Sequence, residues 1–108
     1  MAQPQPDVIF RALGDRTRLA IVARLRAGEA AAGDIAAGFR VSRPAVSRHI
    51  RVLRAAKLVT ERREGRNRVY ALNPEPLAAV DEWLSTYRRF WRAQLQSLKR
   101  YAESSVPR

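Results

Sequence analysis

The stretch VSRPAVSRHIRVLRAA, residues 41–56, decides the fold because it contains both a helix start and a strongly basic surface. Ser42 is a natural N-cap, which makes Arg43 the first helical position and Pro44 the second. Proline is tolerated in the first turn of a helix, where the backbone N–H groups have no intrahelical partner. Pro44 therefore marks the start of a helix rather than a break in one.

The helical period divides this stretch into an apolar side and a basic side. At about 100° per residue, Val46, Ile50 and Leu53 form a narrow stripe that predicts the core side. The remaining surface, with His49 at its border, predicts DNA contacts by Ser42, Arg43, Pro44, Ser47, Arg48, His49, Arg51 and Arg54. A short apolar stripe under a broad arginine and serine surface is typical of a helix that enters the major groove. A solvated charged surface is the alternative, but it explains less well why the basic excess is all arginine.

His49 is the only histidine of the chain, and it projects onto the border of the apolar stripe. Two interpretations stay open: a packing or backbone-bonded residue, or a contact to a phosphate or a base. A metal site needs several histidine, cysteine or carboxylate ligands, and none converge here in sequence. We therefore expect neither a metal site nor a catalytic site at His49, and no cofactor.

The charge of the chain favours a polyanionic partner. There are 21 Lys and Arg residues against 10 Asp and Glu, a net charge of +11 at pH 7. Ten basic and two acidic residues lie between Arg40 and Arg68, so these 29 residues contribute +8 of that total. Because phosphate contacts dominate nucleic-acid affinity, this clustering predicts a double-stranded DNA surface. A basic surface that serves solubility alone is the simpler explanation, but it does not account for the clustering of the basic residues in one segment.

Turn and cap signals predict one winged helix-turn-helix domain, mainly α with a small β-hairpin. Its five helices and two strands follow the order α-α-α-α-β-β-α. Gly14 ends the first helix and Asp15 caps the second, in which Leu19, Val22, Ala23 and Leu25 or Arg26 follow the helical period. We expect the domain to occupy residues 7–102, with flexible tails at 1–6 and 103–108.

The predicted hairpin has Gly65 at its turn and four arginines around it. LVTERRE and RNRVYAL, residues 58–64 and 66–72, are rich in β-branched or aromatic residues and flank this glycine. This wing predicts contacts to phosphates or to a neighbouring minor groove by Arg62, Arg63, Arg66 and Arg68. A solvent-exposed hairpin tip is the alternative.

A long last helix, from about Glu75 to Ala102, carries more apolar residues than one small domain can cover. Two apolar sides predict that one packs on the domain itself and the other on a second copy of the chain. The first helix is expected to contribute to this homodimer. The predicted interface contains Ile9, Phe10, Leu13, Trp83, Leu84, Tyr87, Phe90 and Trp91. A purely intramolecular core, or an aromatic pocket for a small apolar effector, are the alternative interpretations.

Residue content argues against several other classes of protein. Without cysteine and with one histidine, no motif places a nucleophile beside a base, so we expect no enzyme. No stretch approaches the roughly 18 apolar residues of a membrane span, and the start MAQPQPD is no signal peptide, so a reduced cytoplasm is expected. A non-specific architectural DNA-binding protein is the second hypothesis, and an antitoxin or protein-interaction module is the third.

Two blocks resemble the ArsR-type winged-helix repressors of bacteria. FRALGDRTRLAIVARL, residues 10–25, is similar to the opening segment of that family. Residues 41–72 are similar to its recognition helix and wing, with the family's spacing met by Ser42, Ser47, His49, Ile50 and Leu53. The resemblance covers about residues 7–101. It implies a homodimer that binds an operator of two-fold symmetry and is released by an effector.

The chain departs from the metal-sensing members of that family. Many of them bind metal through a Cys-x-Cys pair at the third helix, where EAAAGDI places Ala31 and Gly33. A second family site uses histidine and acidic residues on the last helix, but no histidine follows His49. The resemblance therefore points to the metal-independent members, some of which repress their own operons.

Overall fold

The computed structural model describes residues 5–105, which form five helices and a three-stranded sheet. In chain order the elements are α1 (Pro6–Leu13), α2 (Arg16–Arg26), β1 (Ala30–Ala31), α3 (Ala32–Ala37), α4 (Arg43–Ala55), β2 (Val59–Glu64), β3 (Asn67–Leu72) and α5 (Leu77–Ser105). This confirms the predicted fold class and the order of its helices and hairpin. Among these residues no helix is both long and apolar enough to cross a lipid bilayer.

The short strand β1 is the element that the sequence did not predict. It pairs antiparallel with β3, with Ala30 opposite Tyr70 and Ala31 opposite Val69, and the sheet order is β1-β3-β2. Two alanines carry no alternating pattern, so only this long-range pairing makes them a strand. The strand connects the start of α3 to the base of the wing.

The ends of the chain differ slightly from the predicted boundaries. Pro6 is the first residue of α1, and residues 103–105 continue α5 rather than starting a tail. The remainder of the predicted tails lies at residues 1–4 and 106–108, outside the described residues.

Side-chain caps start α2 and α4, as predicted. Asp15 accepts hydrogen bonds from the backbone N–H groups of Thr17 (2.8 Å) and Arg18 (3.1 Å). These donors, led by that of Arg18, hold the pKa of the Asp15 carboxyl below its usual value. Ser42 accepts from the N–H of Ala45 at 3.3 Å, and the following proline lies in the first turn of α4.

The core lies where α1, α2, α3 and α4 meet the sheet. Its fully buried large side chains are Ile9, Ile21, Ile35, Val46, Leu53 and Leu58. The predicted stripe of α4 is confirmed, because Val46, Ile50 and Leu53 are all at most 2% exposed. The predicted period of α2 is confirmed at Leu25, which is buried, and at Val22, which packs on the core. It is wrong at Leu19, which is 52% exposed, and at exposed Ala23, since Ile21 faces the core instead.

Burial of Leu53 predicts a large loss of stability on truncation. We expect Leu53→Ala to lower the free energy of unfolding by about 3 kcal/mol, through lost transfer energy and the cavity left behind. Val52→Ala on the same helix is the control, because Val52 is 37% exposed, and it should cost less than about 1 kcal/mol. Urea denaturation at equal protein concentration measures both. Equal losses in the two variants would contradict the assigned core side of α4.

Candidate nucleic-acid interface

The predicted contact residues of α4 lie on the solvent side of the helix. Ser42, Arg43, Pro44, Ser47, Arg48, Arg51 and Arg54 are all exposed, while the apolar stripe faces the core. Within residues 5–105, no carboxylate lies within ion-pair distance of the Arg43, Arg48 or Arg51 guanidiniums. Three arginines on one exposed helix are therefore available to an external anion.

Arg43 lies beside the turn that precedes the recognition helix. A Cβ built on Gly33 of α3 would come within 3.3 Å of the Arg43 Nη2 atom. A side chain at position 33 would therefore displace this guanidinium. Gly33, which carries no metal-binding side chain, leaves room for a basic contact residue.

His49 is partly buried between α4 and the start of α2. Its side chain is 21% exposed, and its Nδ1 atom lies 3.2 Å from Arg18 Nη1 and 3.9 Å from Asp15 Oδ1. Because a guanidinium only donates, Nδ1 is the acceptor in the contact with Arg18. The packing interpretation accounts for these contacts. Among the described residues no group of three or more His, Cys, Asp or Glu side chains could hold a metal ion.

Arg18 is a residue that the sequence interpretation missed. Its Nε donates to the Ala12 carbonyl at 2.6 Å and its Nη2 to the Arg11 carbonyl at 3.4 Å, at the end of α1. One side chain therefore connects α1, α2 and the recognition helix. No pattern marks Arg18 in the sequence, because its partners are backbone carbonyls and a histidine 31 positions away.

The four arginines of the wing are not equivalent. Arg62 binds Glu29 with both guanidinium nitrogens and Glu64 at 2.9 Å, so it is already paired. The hydrogen bond to Glu29, followed by that to Glu64, raises the pKa of Arg62 further above its usual range, while Arg62 lowers the pKa of Glu29. Arg63 and Arg66 at the tip are exposed, with no carboxylate of residues 5–105 in ion-pair distance.

Glu61 pairs with two predicted DNA-binding arginines. Arg54 of α4 lies 2.8 Å from its carboxylate, and Arg68 of β3 lies 3.5 Å away. With the pair between Arg62 and Glu64, both acidic residues of β2 are therefore partners of nearby arginines. The wing thus joins the recognition helix through a carboxylate rather than through apolar contacts alone.

Apolar side chains cover α5 along its length without being buried. Phe10 contacts Trp83 edge to face at 5.1 Å between ring centroids, and Trp83 contacts Tyr87 at 4.6 Å. We call the exposed set the α5 face: Phe10, Trp83, Leu84, Tyr87, Phe90, Trp91, Leu95, Leu98 and Tyr101, each at least 36% exposed. One chain does not enclose these side chains, so it forms no aromatic pocket from them.

Ile9 is a correction to the predicted interface. Its side chain is 0% exposed and lies in the core, because α1 turns this residue towards α2 and α4. Leu13 is half-buried against the same core. Of the three predicted residues of α1, only Phe10 belongs to the α5 face.

Comparisons with known proteins give relatives over nearly the whole chain. A helix-turn-helix domain family matches residues 13–62. The HTH-type transcriptional regulator Rv2034 of Mycobacterium tuberculosis is 46% identical over 99 residues, which are 92% of this chain and 90% of that regulator. The transcriptional repressor SdpR of Bacillus subtilis is 34% identical over 79 residues, 73% of this chain and 88% of the repressor. The crystal structure of an ArsR family transcriptional regulator superposes with a TM-score of 0.75 at 33% identity, covering 85% of this chain and 95% of that one.

The unequal pairing of the wing arginines predicts unequal contributions to DNA binding. We expect Arg63→Ala to reduce the slope of log K against log salt by about 0.9, the value for one phosphate contact. Arg62→Ala should change the slope little, because Glu29 and Glu64 already neutralise Arg62. Fluorescence anisotropy with a labelled duplex at several salt concentrations measures this. A slope reduced equally by both substitutions would show that Arg62 leaves its carboxylates when DNA binds.

Proposed function

Because the chain belongs to the ArsR family of winged helix-turn-helix transcriptional regulators, we propose that it is a repressor that binds a palindromic operator as a homodimer. Family membership makes it a DNA-binding regulator rather than an enzyme. The observation that carries the proposal is the exposed arginine and serine surface of α4 beside an arginine-tipped wing. As a regulator of bacterial genes, it would act in the cytoplasm.

In this proposal α4 is the recognition helix. The N-terminal half of such a helix lies deepest in the major groove, where Arg43, Ser47 and Arg48 would reach base edges. Arginine recognises guanine with two parallel hydrogen bonds, which requires a guanidinium free of other partners. Arg43 and Arg48 meet that requirement within the described residues. Arg63 and Arg66 at the wing tip would contact phosphates or the adjacent minor groove.

The α5 face supports a homodimer. The helix has 29 residues and is therefore about 43 Å long, and the described part of the chain extends over 70 × 36 × 20 Å. Leu84, Trp91 and Leu98 recur every seven residues, and Tyr87 and Tyr101 occupy the second position of the same heptad, with Gln94 between them. That pattern is typical of a helix that packs on another helix. Leu77 and Val80, one heptad earlier, pack on the core of the chain itself. A monomer rarely exposes so many large apolar side chains along one element.

Two-fold symmetry would then determine the form of the operator. A homodimer related by a two-fold axis presents two recognition helices in opposite directions, which matches an inverted repeat. Half-sites one helical turn apart, about 34–36 Å, are the spacing that helix-turn-helix dimers use. Neither half-site alone has to supply the full specificity.

The residue content supports release from DNA by something other than metal binding. Ala31 and Gly33 offer no side-chain ligands at the third helix, and no histidine follows His49. The described acidic residues of α5 are Asp81, Glu82 and Glu103, and Asp81 is bound by Arg88 at 2.9 Å. We propose release by an effector of other chemistry or by competition for DNA.

Selection of binding sites from random duplexes by the purified protein tests the proposed function. We expect an enriched sequence with two-fold symmetry, which should also occur near the promoter of the gene itself. An architectural DNA-binding protein would bind with a similar salt dependence but enrich no sequence. Absence of enrichment would reject the repressor hypothesis and support the architectural one.

Arg48→Ala should reduce specificity more than affinity. We expect discrimination between the selected operator and a scrambled duplex to fall about tenfold, since a bidentate contact to a base contributes about 1–3 kcal/mol of discrimination. Arg100→Ala on α5 removes the same charge from an exposed position outside the proposed DNA surface, and it should leave the ratio unchanged. Competition binding at fixed salt measures both. An unchanged ratio in Arg48→Ala would exclude base recognition by Arg48.

Trp91→Glu should give a folded monomer. Trp91 is 62% exposed within one chain, so the substitution leaves the core intact but places a charge in the proposed interface. Tyr87→Glu should act in the same way. We expect operator affinity to fall at least about a hundredfold, because the monomer reaches one half-site only.

Gln96→Glu is the matched control, since it introduces the same charge on the side of α5 opposite the heptad seam. Sedimentation velocity and operator binding of the three variants measure the effect. A Trp91→Glu protein that stays dimeric and binds normally would exclude the α5 face as the interface.

A further inference from the structure

Glu61 is an acidic residue held inside the most basic surface of the molecule. Its side chain is only 15% exposed, and it accepts hydrogen bonds or ion pairs from two neighbouring elements. Arg54 Nη1 of α4 lies 2.8 Å from Oε2, Arg68 Nε of β3 lies 3.5 Å from Oε1, and the Tyr70 hydroxyl donates to Oε1 at 3.2 Å. The carboxylate therefore lies where the recognition helix meets the wing.

Electrostatics alone would disfavour a carboxylate at this position. A negative charge beside phosphate-binding arginines repels DNA and neutralises part of the basic surface. Glu61 also pairs with two of the arginines that the sequence assigns to DNA contact. Since Glu61 weakens the electrostatic attraction to DNA of any sequence, its contribution to DNA binding must be a different one.

We propose that Glu61 is a positioning residue that fixes the wing against the recognition helix and thereby determines discrimination between the operator and other duplexes. This inference rests on the proposed function, because it assumes that the protein recognises a particular operator. Phosphate contacts carry no sequence information, but they set the register in which base contacts are made. Because one carboxylate holds both Arg54 and Arg68, these two arginines can contact phosphates only in one arrangement of α4 and the wing.

Release of these two arginines would affect binding to the operator and binding to other duplexes unequally. Without the Glu61 carboxylate, the two arginines would be flexible and could bind the phosphates of any duplex. The affinity for DNA of any sequence, and its salt dependence, should therefore rise. The operator would gain less, because the wing and α4 would no longer present their contacts in a fixed register. Specificity should therefore fall although net positive charge increases.

Glu61→Gln tests this inference, with Glu64→Gln as the matched control. Both substitutions remove one negative charge from β2, but Glu64 is 68% exposed and contacts Arg62 on the other side of the strand. The measurement is the dissociation constant for the selected operator and for a scrambled duplex of equal length, over a range of salt. We expect Glu61→Gln to lower the ratio of operator affinity to scrambled-duplex affinity at least tenfold and to steepen the salt slope for the scrambled duplex. Glu64→Gln should keep the ratio within twofold.

Tyr70→Phe provides a second, milder variant. It removes the hydroxyl that donates to Glu61 and keeps the buried ring, which is 6% exposed. We expect a smaller decrease of the ratio in the same direction, with the thermal midpoint recorded for all variants. A ratio unchanged in Glu61→Gln, or changed equally in Glu64→Gln, would overturn the role of Glu61. Selection that yields no consensus would instead overturn the proposed function.

Discussion

Burial of one side of α4 is the constraint on which the rest of the structure depends. Val46, Ile50 and Leu53 fill the core, so the rotation of the helix about its axis is fixed. Turning the helix by one residue would carry an arginine into the core, where an unpaired charge costs several kcal/mol. The same apolar stripe therefore determines which side chains face outward. The outward position of Arg43, Arg48 and Arg51, which have no carboxylate partner among residues 5–105, therefore follows from packing.

The ends of α4 connect this packing to the wing. Lys57 adopts a left-handed conformation (φ 64°) after the helix, and the Leu58 N–H closes the end by bonding to the Leu53 carbonyl at 3.0 Å. Asn73 then donates its side-chain amide to the Lys57 carbonyl and its backbone N–H to the Leu58 carbonyl, both within 2.9 Å. The residue that follows the hairpin thus binds the turn that precedes it. These bonds and the carboxylate of Glu61 both connect the end of α4 to the hairpin.

Local signals predicted most of the fold and the outward residues of α4, whereas long-range contacts could not be predicted. Ser42, Pro44 and Gly65 act through the backbone of their neighbours, so their roles are readable in sequence. The strand at Ala30 exists only because β3 pairs with it, and Arg62 is occupied by a glutamate 33 residues away. Burial of Ile21 rather than Leu19, and of Ile9, depends on how helices cross. Such crossings are set by tertiary packing, which a periodic pattern does not contain.

The proposed dimer interface and the proposed recognition helix are linked by continuous contacts. Phe10 packs on Trp83 of α5, and two residues further along α1 the Ala12 carbonyl accepts a hydrogen bond from Arg18 at 2.6 Å. The same guanidinium reaches His49 of α4 at 3.2 Å. The Arg18 side chain, together with α1 and α2, therefore joins α5 to α4. In the proposal, α5 packs at the two-fold axis and α4 enters the groove. In the proposed dimer, a palindrome would be recognised only when both recognition helices keep their separation. Stiffness along this route would then contribute to specificity even though none of these contacts touches a base.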